Sequence, residues 1–462
     1  MLQKQNFWHK CISLALMLHS VFCYSFSAYS NDELDQLEKE FVREINQSDA
    51  ILRNPLAVEY INHLAIRLGQ HGELEKQPDF FIVKSNEINA FAGPGGHIGV
   101  NTQLILASEN ESELAAVMAH EMSHVRQHHL YRMMEHQKRM RIPMIASILA
   151  SMALGIINPT LASGAMMGSL TGIAQDNISF VRSNEKEADS IGIDMLIKSG
   201  LDPRGMAGFF KKMQEATRYY YTDNIPAILR THPLDEDRIA EAENRSLHIA
   251  KKYYPDNLNY RLFKELVRLQ ITKDPKNLIE FYKKECMKST TKNVCQYGYA
   301  LTKSKMGENK AAILILEKLI AEDPSNLFYL IALIRAEEGD SQIKNAVAKL
   351  AEMHNNHPDN YTIYLEYGNA LMLDNQYTKA VSILLKAHWE YRGDLAICNK
   401  LARAQAMNNK KAYAYFTLAE CHLIQGEKHD AVNKLKTAKS MNKNDEYLAA
   451  RIDAKIEEIK SI

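Results

Sequence analysis

Small residues recur 34 positions apart in the C-terminal half of the chain, at Ala312, Ala346 and Ala380. Ala300, Ile334 and Gly368 keep the same interval 12 residues ahead of them, and Pro324 and Pro358 stand 12 after the first two alanines. A period this long cannot come from one helix or strand. It requires a supersecondary unit that repeats and buries its apolar face on the next copy. From about residue 258 to the end the text is helical. A further copy centres on Ala431, with Ala419, Gly426 and Ala438 in matching places, and about 17 extra residues separate it from the 34-residue register. A partial helical unit at 258–290 precedes the repeats, and a polar helix at about 445–460 reads as a cap.

Thirty-four residues is the tetratricopeptide period. Small side chains fall where paired helices pack closely, and stacked pairs make a curved surface that binds other proteins. The expectation is a helical solenoid over 258–462.

The first half carries different chemistry. Ser108 opens a run rich in Ala, Leu, Met, Glu and Gln that contains His120-Glu121-Met122-Ser123-His124. The run is helical on propensity, and Ser108 with Glu111 has the spacing of a capping box. In a helix His120 and His124 share one face, roughly 6 Å apart along the axis. Two imidazoles so placed reach one ion, and Glu121 can work on a water at the metal instead of on the metal. This H-E-x-x-H pattern is the arrangement of zinc peptidases. His128 falls about 12 Å from His120, so His128 and His129 read as surface residues. Gln127 and Leu130 stand where a metzincin has its Gly and third His, which excludes that class.

A two-histidine zinc site needs a third protein ligand and keeps a fourth position for water. A later helical stretch, Ser179 to Ile197, offers Glu185 and Asp189 one turn apart. Glu185 is the natural donor. Asp189 is then placed to hydrogen-bond the second nitrogen of a ligand histidine. Farther on, Thr231-His232-Pro233-Leu234 and Arg238 stand before and within another helix.

Around these motifs, residues 31–75 suggest two helices broken near Asn54-Pro55, and Phe80–Val83 reads as a strand. A Gly/Pro turn at 93–96 and a strand at about 97–101 suggest a hairpin. Its edge either holds an extended peptide or only covers the core. Residues 142–175 contain no charged side chain and are read as a peripheral amphipathic flap. Asn158-Pro159 breaks the apolar run short of the roughly 20 residues a span needs.

Lys+Arg and Asp+Glu are equal at 56 each, so no basic field draws nucleic acid. Residues 1–30 resemble an export signal: Lys4, His9 and Lys10, then an apolar Ile12–Phe22, then Ala28-Tyr29-Ser30. Cys23 follows Phe22, which fits poorly to a lipidation site. Past the signal, four cysteines remain; Cys286 with Cys295 and Cys398 with Cys421 are the local pairings, and free buried thiols are equally consistent.

Taken together, Ile88-Asn-Ala-Phe-Ala92, Val117 to Val125, Asn184 to Gly192 and Thr231 to Leu234 resemble the HtpX/Oma-type zinc peptidases. The resemblance implies a mainly α protein: a gluzincin-type α+β metallopeptidase domain at 31–250, then the tetratricopeptide solenoid. It implies one Zn2+ per chain on His120, His124 and Glu185, with Glu121 as general base and acid and Asp189 supporting a ligand. His232 matches either a fourth ligand that closes the site or, with Arg238, a group facing the transition-state oxyanion. Signal, catalytic domain and repeats in this order resemble periplasmic members of Gram-negative bacteria. These imply unfolded or misassembled outer-membrane proteins as substrates, the β-barrel assembly machinery as a partner of the repeats, and at most peripheral membrane contact. The alternative is an assembly chaperone or adaptor with a latched, largely inactive site. Gly93-Pro-Gly-Gly-His97 is richer in Gly than that family's usual turn, which leaves the substrate-strand geometry open.

Overall fold

The computed structural model describes residues 31–72, 74–139, 175–219, 225–247, 249, 253–287 and 292–461. The export segment and all but the last residue of the uncharged 142–175 stretch lie outside these residues.

Helix α1 (Asn31–Gln47) and α2 (Pro55–Gly69) flank the expected break. Asn54 caps α2 by accepting from the Ala57 N–H, and Pro55 fills a first-turn position that needs no donor. Strands β1 (Asp79–Val83), β2 (Ala90–Ala92) and β3 (His97–Asn101) form one sheet in the order β1-β3-β2. The hairpin is β2 with β3, antiparallel through the short 3-10 turn Pro94–Gly96, and β1 joins β3 in parallel. Gly95 and Gly96 take φ of +72° and +82° in that turn, which glycine reaches without steric cost. The three-residue β2 is an edge strand, and it lies against the metal-motif helix.

Then come α3 (Thr102–Ala107), α4 (Glu111–Arg126), α5 (His129–Arg139), α6 (Gln175–Lys198), α7 (Arg204–Tyr219), α8 (Ala227–Thr231) and α9 (Glu236–Leu247). Buried Leu114, Met118, Met122, Ile193, Leu196, Phe209 and Met213 join these helices to the sheet in one core.

The remainder is paired helices: α10 (Leu258–Ile271) with α11 (Lys276–Glu285), α12 (Lys292–Lys305) with α13 (Asn309–Glu322), α14 (Leu327–Gly339) with α15 (Ile343–Asn356), α16 (Tyr361–Leu373) with α17 (Tyr377–Glu390), α18 (Leu395–Met407) with α19 (Lys411–Ile424), and α20 (Lys428–Met441) with α21 (Glu446–Ser461). The turns inside four successive pairs use Gly307, Ser341, Asn375 and Asn409, each with positive φ and each 34 residues from the last. The register therefore runs through 395–424 without interruption. The extra 17 residues expected before Ala431 are not an insertion. They are half a period: Ala312, Ala346 and Ala380 lie in second helices of their pairs, whereas Ala431 lies in a first helix. The terminal helix α21 is likewise a full partner, burying Leu448 and Ile452 against Ala431 and Leu435. Cys286 is bonded to Cys295 and Cys398 to Cys421, each staple joining the helices on either side of one turn.

The solenoid grips the first half of the chain. Tyr60 of α2 stacks on Phe263 of α10 with ring centroids 4.6 Å apart. Tyr260 donates from its hydroxyl to the Ser108 carbonyl at 3.2 Å, just ahead of α4. Glu59, buried on α2, accepts from the Thr362 N–H at 3.1 Å and from the Thr362 hydroxyl and Asn360 amide at the start of α16. Among the described residues no helix is long and apolar enough to cross a membrane.

Candidate active site

Helix α4 begins two residues later than the expected capping box. Asn110 is its N-cap, accepting from the Glu113 N–H at 3.0 Å, and Glu113 reaches back to the Glu109 N–H at 2.7 Å. The Ser108 hydroxyl is occupied in closing α3, donating to the Leu104 carbonyl at 3.0 Å. Leu114 through Ser123 are all buried, so α4 is a central helix without a solvent face. Helix α6 crosses it at Gly192, where a Cβ would stand 3.2 Å from the His120 nitrogen and 3.4 Å from the Ala119 carbonyl carbon. That close approach brings Glu185 and Asp189 to the histidines.

The Nε2 atoms of His120 and His124 are 2.9 Å apart. Glu185 places Oε2 3.4 Å from the first and Oε1 3.4 Å from the second. Ligand atoms about 2.0–2.1 Å from a tetrahedral Zn2+ lie roughly 3.3 Å from one another, so the two imidazoles and the carboxylate fit such an ion. Asp189 Oδ1 stands 2.9 Å from His120 Nδ1, the nitrogen turned away from the shared point. Arg238 clamps the back of the site. Its Nε and Nη2 donate to the two oxygens of Asp189 at 2.7 and 2.8 Å, and its Nη1 lies 2.9 Å from Glu185 Oε2. His232 joins the donor cluster. Its Nδ1 is 3.3 Å from His120 Nε2 and 3.1 Å from Glu185 Oε1, and its Nε2 is 3.3 Å from Glu121 Oε1. Glu121 is 1% exposed. Beside His120 and His232, Met206, Phe209, Phe210, Met213 and Ile228 line an apolar pocket.

The charges are tuned together. Burial pulls the His120 imidazole down, but hydrogen bonds to Asp189 and Glu185 outweigh it and hold it at about 10. Burial opposes ionisation of Glu185, yet the neighbouring His232, His120 and His124 keep it well below the usual carboxylate range. His124 is pushed down by burial. The negative charge that would retain a proton on His120 is equally suited to a divalent cation.

His129 departs from its expected surface position. It is 4% exposed, whereas His128 is exposed as read. Its Nδ1 is 2.8 Å from His124 Nδ1, and its Nε2 is 3.2 Å from Glu187 Oε2. Five residues after His124, a continuous helix would carry it to another face. The helix instead breaks at His128, whose φ of +51° swings the chain back. No residue in the sequence announces that break, since neither Gly nor Pro marks it.

A model of peptidase family M48 matches residues 54–246. The chain is 34% identical over 345 residues to the β-barrel assembly-enhancing protease of Escherichia coli (strain K12), covering 73% of this chain and 69% of that protein. The chain belongs to peptidase family M48. It is a metalloendopeptidase, and its M48 site holds a metal. Metalloprotease LoiP of Escherichia coli (strain K12) is 28% identical over 47% of this chain and 85% of its own length. The mitochondrial metalloendopeptidase OMA1 of Bos taurus is 26% identical over 44% of this chain and 40% of its own. MamA 41-end from Desulfovibrio magneticus RS-1 aligns with 34% of this chain and 90% of its own at 14% identity and a TM-score of 0.31; the solenoid assignment rests on the helix pairs themselves.

Proposed function

We propose that this M48 protein is a zinc endopeptidase of the bacterial periplasm whose site is held closed by His232, and that it acts in assembly and quality control of outer-membrane β-barrel proteins. The observation that carries the closed state is the His232 ring among the donors of His120, His124 and Glu185. The export-type N-terminus and the likeness to a β-barrel assembly-enhancing protease support the compartment and the substrate class.

His120, His124 and Glu185 would hold the ion, which when bound supplies Lewis acidity to the scissile carbonyl and to the attacking water. Glu121 takes the proton of that water and passes it to the leaving amine. Asp189 fixes His120 with Nε2 toward the ion. Arg238 holds Asp189 and Glu185 in place from behind, so its role here is positioning. A substrate strand pairs with the edge of β2, and an apolar side chain next to the scissile bond enters the pocket of Phe209, Phe210 and Met213. The solenoid recruits protein partners, among them the β-barrel assembly machinery.

His232 must leave before substrate enters. This favours a second reading alongside the first, in which the closed protein serves assembly as a chaperone or adaptor and cleaves only when opened. Glu121→Gln separates the two activities: peptide hydrolysis is lost in both readings, and support of outer-membrane assembly persists only in the second. Wild-type hydrolysis by Glu121→Gln would refute the mechanism.

A further inference from the structure

We propose that His129 is a positioning residue that sets the tautomer of the ligand His124 through an imidazole–imidazole–carboxylate chain ending at Glu187. The inference rests on the metal reading above and adds a part to it. His124 Nε2 points at the shared ligand position, 2.9 Å from His120 Nε2. To ligate, that nitrogen needs a free lone pair, so the His124 proton belongs on Nδ1. The Nδ1 atom faces no carboxylate. It faces His129 Nδ1 at 2.8 Å, where one ring nitrogen must donate and the other accept.

Glu187 decides which. Its carboxylate can only accept, and it lies 3.2 Å from His129 Nε2. The proton of the neutral His129 ring is therefore on Nε2, and its Nδ1 carries the lone pair. His124 Nδ1–H donates into that lone pair and His124 Nε2 is left free for the ion. Arg132 Nη1, 3.3 Å from the same Glu187 oxygen, keeps the carboxylate in place. His120 is set differently, by direct contact with Asp189. The two ligand histidines thus have separate supports, and the second depends on the backbone turn at His128 that folds α5 against the end of α4.

The test is zinc affinity of the purified full-length protein, measured by competition with a chromogenic chelator, with the absorption bands of the Co2+ form as a second readout. His129→Leu removes the acceptor and should weaken zinc binding about 10–100-fold. His129→Asn keeps an acceptor oxygen near the Nδ1 position and should restore most of the affinity. Glu187→Leu, at a partly exposed site, leaves the ring but frees its tautomer, and should give a smaller loss. A merely structural role would lower the stability of all variants and leave zinc affinity unchanged; that result overturns the proposal, as does His129→Asn binding no better than His129→Leu. Zinc uptake by wild type and its loss in His124→Ala report on the ligand set independently. If wild type takes up no zinc, the metal reading itself fails; if it does and His129→Leu matches it, only the role of His129 fails.

Discussion

Glu121 has no spare partner. It is buried, its Oε1 accepts no hydrogen bond, and the nearest cationic group to that atom is His232 Nε2 at 3.3 Å. Such an acceptor suits proton transfer and little else. Glu121→Gln should therefore lower kcat by at least about 100-fold, with metal content by elemental analysis unchanged. Arg238 carries the opposite kind of energy. Two buried carboxylates depend on it, and burial of its guanidinium is offset by Asp189 and Glu185. Removing one partner of a buried ion pair costs about 3–5 kcal/mol. Arg238→Leu should lose stability of that order in denaturant unfolding; a loss under about 1 kcal/mol would mean the carboxylates are held by other groups.

Helices are the scale at which the sequence was most readable and also where it misled. The pair His120 and His124 was legible because one turn of helix fixes their separation, and Glu185 with Asp189 by the same geometry. The start of α4 was misread because Ser108 and Asn110 both precede an acidic residue by three, and only the tertiary fold shows that the Ser108 hydroxyl is spent on α3. His129 was misread because helical periodicity assumes a helix that does not break at His128. The repeats were found with the right period but half out of phase after 390, because both helices of a pair place alanine at similar positions. Gly192 sits in a legible motif, but its purpose appears only where α6 crosses α4. Gly192→Val should force those helices apart at a cost of about 1–3 kcal/mol and weaken metal uptake, read by thermal unfolding with and without zinc. Unchanged stability would show that the crossing has room.

At the scale of the whole molecule, the solenoid does two jobs. It presents a surface and it clasps the peptidase domain. Glu59 joins α2 to α16 and is buried with its hydrogen bonds, so Glu59→Ala strands the Thr362 N–H at the interface. Calorimetry should resolve one unfolding transition in wild type into two in the variant; a single unshifted transition would contradict the clasp. Inside the solenoid, burial and the nearby Glu366 push the Glu338 carboxyl up to about 7. A raised carboxyl holds its proton in the folded state, so its contribution to stability is full below about 4.5 and is lost as pH rises through about 7. Denaturant unfolding should show that Glu338→Gln narrows the stability difference between pH 5 and pH 8. An unchanged difference would place the effect on other groups.

The central claim is a peptidase site that is complete and closed by its own fourth histidine, and one comparison reaches it directly. Hydrolysis of an unfolded outer-membrane β-barrel protein is measured for wild type, His232→Ala and the double variant Glu121→Gln/His232→Ala, each with its zinc content determined. The account predicts faster cleavage by His232→Ala than by wild type, no cleavage by the double variant, and zinc retained in all three. Loss of cleavage in His232→Ala with zinc still bound would contradict it.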